Sequence, residues 1–220
     1  MKTPSADILH EDSQYELIAR VHHDQIRDFV VDQVVEDKKL VPTYMVYQSL
    51  MVFSGLFFLT RAVILAWKGD AGALTVALLA LLFSFTLLVV IHELLHGLAL
   101  MLAGAPRIRY GGSLRKFIFY AEADRFVLGR PAFLFVAFTP LAVIQIVSVA
   151  GILLWFPTPF VYFFLMLQSA HALFCAGDLA LATIFFKYPG RKVYTYDNRD
   201  ERCSYYFVEN EKARENLAKS

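Results

Sequence analysis

Four stretches of this chain, about residues 44–67, 71–103, 132–156 and 160–186, are apolar for longer than a packed soluble element requires. A bilayer core of about 30 Å takes about 20 apolar helical residues, and every stretch reaches that length. Strands rarely pass about ten residues, so length alone excludes a sheet. No Asp, Glu, Lys or Arg occurs from Ala71 to Val90 or from Pro131 to Phe164. Composition agrees, with 57% hydrophobic and 19% charged residues. These values exclude a disordered chain and put a membrane protein ahead of a water-soluble enzyme. A net charge of +1 provides no field for nucleic acid, so no nucleic-acid partner is expected. Two cysteines, Cys175 and Cys203, make no disulfide framework.

The expected fold is therefore an all-α membrane protein, a four-span transmembrane helix bundle with small cytosolic β-hairpins. Basic residues orient it. The link between the second and third spans carries Arg107, Arg109, Arg115, Lys116, Arg125 and Arg130, and the tail carries Lys187, Arg191 and Lys192. The link between the first two spans has only Lys68, and that between the last two has no basic residue. Positive charge marks the cytosolic side, which places the N-terminus, the central link and the C-terminus there. No basic-then-apolar leader precedes residue 44, so no cleavable signal is expected. With that charge asymmetry, the plasma membrane of a prokaryote is the expected location and the lipid bilayer the first partner.

Three segments follow from this. Residues 1–43 form a cytosolic N-terminal segment, in which Leu17, Ile18, Val21, Ile26, Phe29, Val30 and Val34 fall near helical spacing and predict one amphipathic helix over 15–35. Residues 44–187 form the four-span domain, with a cytosolic link over 105–130. That link reads as a hairpin, Arg107–Tyr110 and Leu114–Tyr120 turning at Gly111-Gly112. Residues 188–220 form a cytosolic hairpin, Val193–Tyr196 with Cys203–Val208, then a short helix over 209–218.

The chemistry lies inside the second span, where residues 92–96 read His-Glu-Leu-Leu-His. On a helix, i and i+4 share one face, so His92 and His96 can turn a ring nitrogen each to one metal ion. Glu93 is turned about 100° from His92, placed to reach a water rather than the ion. A zinc ion acidifies such a water towards about pH 7, and a glutamate can take its proton. Ionisable groups within a span are costly and mark function. Catalytic zinc needs a third protein ligand. The fourth span carries Gln168, His171, Cys175 and Asp178 as one polar stripe. At 1.5 Å per residue, Asp178 shares the depth of His92 and His96, while His171 lies about 10 Å further out. Depth thus favours Asp178 as third ligand, with His171 and Cys175 as alternative ligands or supporting groups behind the site. Pro140 is expected to kink the third span.

Together, the His92–His96 motif in a membrane helix, a hairpin after it and Gly177-Asp178 in a later span resemble the site-2-type intramembrane zinc metalloproteases. A closer resemblance is to a smaller bacterial and archaeal group of multi-pass zincin-type peptidases, long classed as a domain of unknown function. Its likeness includes Tyr120–Pro140, where a polar stretch with Phe126 leads through Arg130 into an apolar run ending Thr139-Pro140. It covers roughly residues 44–210. One departure is the setting of the aspartate: site-2-type enzymes carry Asn-Pro-Asp-Gly or Leu-Asp-Gly, whereas this chain has Ala176-Gly177-Asp178-Leu179.

The resemblance implies zinc held by His92, His96 and Asp178, with Glu93 as catalytic base. The function expected is a zinc-dependent membrane-embedded metalloprotease that hydrolyses peptide bonds of a membrane protein or peptide substrate at or near the cytosolic side. Two alternatives use the same residues without hydrolysis. One is a metal-binding membrane regulator or transporter component, and the other is a protease-like scaffold.

Overall fold

The computed structural model describes residues 3–11, 13–113 and 118–210. The chain is mostly helical, and two compact units share it. One comprises residues 1–37, 96–137 and 180–220, the other residues 38–95 and 138–179.

The second unit contains the apolar helices. Here α3 (Leu40–Trp67) and α4 (Gly72–Ser84) pack on α7 (Val161–Phe174). Ala73, Ala77 and Ala80 form a small-residue stripe on α4 that lets it settle against Val161, Leu165 and Met166 of α7. Outward-facing Val46, Leu50, Phe53 and Phe57 of α3 are exposed. An apolar surface of that kind suits lipid better than water. Among the described residues, Leu40–Trp67, Arg130–Trp155 and Val161–Phe186 are each long and apolar enough to cross a membrane.

The second expected span is not one helix. It is α4 followed by α5 (Leu87–Leu102), bent by 48° at a break. Ser84 Oγ donates to the Ala80 carbonyl at 2.8 Å and Thr86 Oγ1 to the Leu82 carbonyl at 2.7 Å. Hydroxyls that bond back to the preceding turn bend helices, and hydropathy does not register them. Taken as one span, this pair brings the number of candidate crossings to four.

The first unit holds the β-structure. Strands β1 (Tyr15–His22), β6 (Cys203–Glu209), β5 (Val193–Asn198) and β4 (Leu128–Gly129) form an antiparallel sheet in that order. The expected tail hairpin is thus half of a larger sheet. Every residue of β6 is buried, which suits a central strand. Tyr196, Tyr205 and Phe207 stack across neighbouring strands, and His10 of α1 (Ala6–Glu11) packs edge-on against all three.

Three expectations change here. Residues 15–35 are not one helix: β1 occupies Tyr15–His22 and only Ile26–Glu36 is helical, as α2. Leu17, Ile18 and Val21 satisfy helical spacing because a bulge between Leu17 and Ala19 breaks the alternation of the strand. The central hairpin exists, as β2 (Arg109–Ser113) paired with β3 (Ile118–Glu122), but Gly111 and Gly112 lie within β2 opposite Tyr120 and Phe119. The ring of Tyr120 lies over Gly111, where any side chain would collide with it. Gly111 therefore serves a close approach, and neither glycine forms the turn. Residues 114–117 and the helix expected over 209–218, beyond Asn210, lie outside the described residues.

Glu122 at the end of β3 is buried, and its Oε2 has no hydrogen-bond partner among the described residues. Burial, and then the neighbouring Asp197 carboxylate, push its carboxyl above the usual range. A carboxyl whose folded pKa is raised favours the neutral form. Its contribution to stability is present at low pH and is lost as pH rises through the raised value. Glu122→Gln is therefore expected to raise the melting temperature near pH 8, with the gain fading towards about pH 4. Relief of about 1 kcal/mol corresponds to about 2–4 °C in a chain of this size. Thermal melts of both proteins across that range check it.

Candidate metal centre

Helix α5 begins at Leu87, directly after the break, and carries His92, Glu93 and His96. Its helical geometry puts His96 one turn beyond His92 on the same face, with Glu93 beside that face. Both histidines are buried.

In the second unit, His92 is engaged on both sides of its ring. Nε2 lies 3.2 Å from Asp178 Oδ2. Nδ1 lies 3.0 Å from Nε2 of His171, which is almost completely buried. Asp178 belongs to α8 (Ala176–Ala182), which starts after α7 ends at Phe174. Cys175 sits between the two helices, its Sγ 3.6 Å from His171 Nδ1. At this junction the Ala172 carbonyl accepts from Tyr44 Oη at 2.7 Å and Gln48 Nε2 at 3.3 Å. Gln168, the first member of the expected stripe, accepts from Gln145 Nε2 at 3.3 Å, and Gln145 in turn accepts from Tyr47 Oη at 2.9 Å.

The depth argument separated His171 from His92 by about 10 Å, counting backbone rise alone. The structure brings them into contact. An imidazole offers two nitrogens on opposite sides of its ring, so one histidine meets Asp178 and His171 at once. Cys175, the other alternative ligand or supporting group, lies against the His171 ring.

In the first unit, His96 Nδ1 lies 3.0 Å from the carbonyl oxygen of Val136. Val136 belongs to α6 (Arg130–Trp155), which contains Pro140 in its interior. Further along α5, the Tyr110 side chain of β2 rests on Gly97, where a Cβ would collide with its phenol. That contact seats the hairpin next to His96 in sequence.

The donor types fit zinc. Ligands at about 2.0–2.1 Å in a tetrahedral array stand about 3.3 Å apart, close to the 3.2 Å between His92 Nε2 and Asp178 Oδ2. Each histidine binds a partner through Nδ1. The nitrogen left for a metal is set by the hydrogen bond of the other: a carbonyl partner on Nδ1 leaves Nε2 of His96 for a metal, and on His92 Nε2 is the nitrogen that faces Asp178. A second set of donors, His92, His171 and Cys175, lies within 4.8 Å of one another.

Sequence reasoning overlooked the Val136 carbonyl. Its signal was present, since Val136 stands four residues before Pro140. No curated protein and no solved structure matches the chain. Residues 85–193, which include the His92–His96 motif, Pro140, His171 and Asp178, match the model of a family described as putative zincin peptidase, and that match points to a metallopeptidase.

Proposed function

We propose that this protein is a zinc-dependent, membrane-embedded metalloprotease that hydrolyses peptide bonds at or near the cytosolic side of the membrane. His92 and His96 from one helix, with Asp178, would hold the ion. The observation that carries the reading is the 3.2 Å approach of Asp178 Oδ2 to Nε2 of a histidine whose helix presents a second histidine one turn on. Bound zinc supplies Lewis acidity, which makes a water nucleophilic near neutral pH. Glu93 takes the proton of that water and returns it to the amine nitrogen that leaves. His171 supports His92 from behind. Basic residues in the central link and the tail orient both termini to the cytosol, in the plasma membrane of a prokaryote. The substrate is a membrane protein or peptide.

One observation favours a second reading, a metal-binding regulator or transporter component without hydrolysis. The donor set of His92, His171 and Cys175 adjoins Asp178 through His92 and adds a soft thiol that a hydrolase does not need. The two readings separate in proteoliposomes. Zinc-loaded protein is incubated with a library of transmembrane peptides, and new peptide ends are sought by mass spectrometry. The hydrolase reading predicts ends that appear with the wild type and not with Glu93→Gln. Identical products from both proteins would contradict it.

A further inference from the structure

Inside an α-helix, each carbonyl accepts the amide proton of the residue four positions on. For Val136 that residue is Pro140, in the interior of α6. Proline has no amide proton, and its ring presses against the carbonyl four residues back. Val136 and Pro140 are both buried, which keeps bulk water from replacing the missing bond. The carbonyl instead has His96 Nδ1 at 3.0 Å. A carbonyl oxygen can only accept, so the shared proton sits on His96 Nδ1, and the lone pair of that neutral ring is then on Nε2.

We infer that Pro140 is a positioning residue for His96. By withholding an amide proton it reserves the Val136 carbonyl for the imidazole, which fixes the tautomer and the direction of the ring. The inference deepens the metal-site reading and rests on His96 being a ligand. His92 shows why such a device matters. Its Nδ1 faces another imidazole, which can donate or accept depending on its own tautomer. A backbone carbonyl has no such choice. The device also gives a role to a proline in the interior of a helix that runs on past it, from Arg130 to Trp155. An ordinary residue at 140 would draw the Val136 carbonyl back onto the helix axis and set two donors in competition for it.

The test begins with Pro140→Ala, which restores the amide proton. Zinc affinity, measured by competition with a chelator, is expected to fall about ten- to a hundred-fold, the usual loss when the partner behind a coordinating histidine is removed. The metal-free variant is expected to melt at or above the wild-type temperature, because alanine is the better helix former. A second variant carries lactic acid at 140, an ester link with neither ring nor amide proton, and is expected to keep wild-type affinity. Nitrogen NMR of histidine-labelled, metal-free protein supplies a readout without zinc. His96 is protonated on Nδ1 in the wild type and becomes a mixture of tautomers in Pro140→Ala. Unchanged zinc affinity in Pro140→Ala would overturn the inference. So would an ester variant as weak as Pro140→Ala, since the ring rather than the missing proton would then matter. A wild type that holds no zinc would remove the metal-site reading, and with it the hydrolase, while leaving open whether Pro140 sets the His96 tautomer. The nitrogen spectra would still decide this inference, with His96 protonated on Nε2 in the wild type overturning it.

Discussion

Glu93→Gln is expected to leave the zinc content at its wild-type value and to lower hydrolysis by about 10²–10⁴-fold, the range for losing a general base. The argument is geometric. Glu93 is rotated about 100° from His92 and about 60° from His96 around α5, so its carboxylate flanks the face that carries both imidazoles rather than lying on it. Gln preserves shape and polarity but cannot take a proton at neutral pH. Metal binding, assigned by the proposal to the two histidines and Asp178, should be indifferent to the change. A regulator or transporter that only binds metal would tolerate Glu93→Gln without loss of function. Zinc content and peptide cleavage measured on one preparation decide between them. A variant that cleaves as fast as the wild type would exclude Glu93 as the base.

The second large effect is on the metal itself. His92→Ala, His96→Ala and Asp178→Ala each remove one of the three proposed ligands, and each should lower zinc affinity far beyond the hundred-fold that bounds a supporting group. His171→Leu should fall within that bound, at about ten- to a hundred-fold, because it takes away the partner of His92 Nδ1 and no ligand. His171→Gln, whose amide oxygen can still accept, should recover most of the loss. A cobalt-loaded protein provides a separate check. If Cys175 does not coordinate, no thiolate charge-transfer band appears. Loss of zinc from His171→Leu as complete as from His92→Ala would move His171 into the ligand set.

Much of this was legible in the sequence because it depends on local order. The apolar runs, the His92–His96 spacing, the β5–β6 pair and the stripe from Gln168 to Asp178 all follow from periodicities along one element. What was missed depends on partners distant in sequence or on single backbone atoms. Strand β1 pairs with β6, about 190 residues away, and its bulge disguises it as a helix. The break between α4 and α5 falls where two hydroxyls, of Ser84 and Thr86, bond backwards, which an apolar run conceals. His171 was set apart from His92 because depth was counted along the backbone, while the contact is made by side chains at the α7–α8 junction. Pro140 was read as a kink, but its consequence lies in the carbonyl it leaves to His96.

The central claim is that this chain holds one zinc ion through His92, His96 and Asp178. The most direct measurement is the zinc content per chain of protein purified in detergent, for the wild type and for His92→Ala, His96→Ala, Asp178→Ala and Glu93→Gln. The account predicts about one zinc per chain in the wild type and in Glu93→Gln, and none retained in the other three. A folded wild type that binds no zinc even after the metal is restored would contradict it.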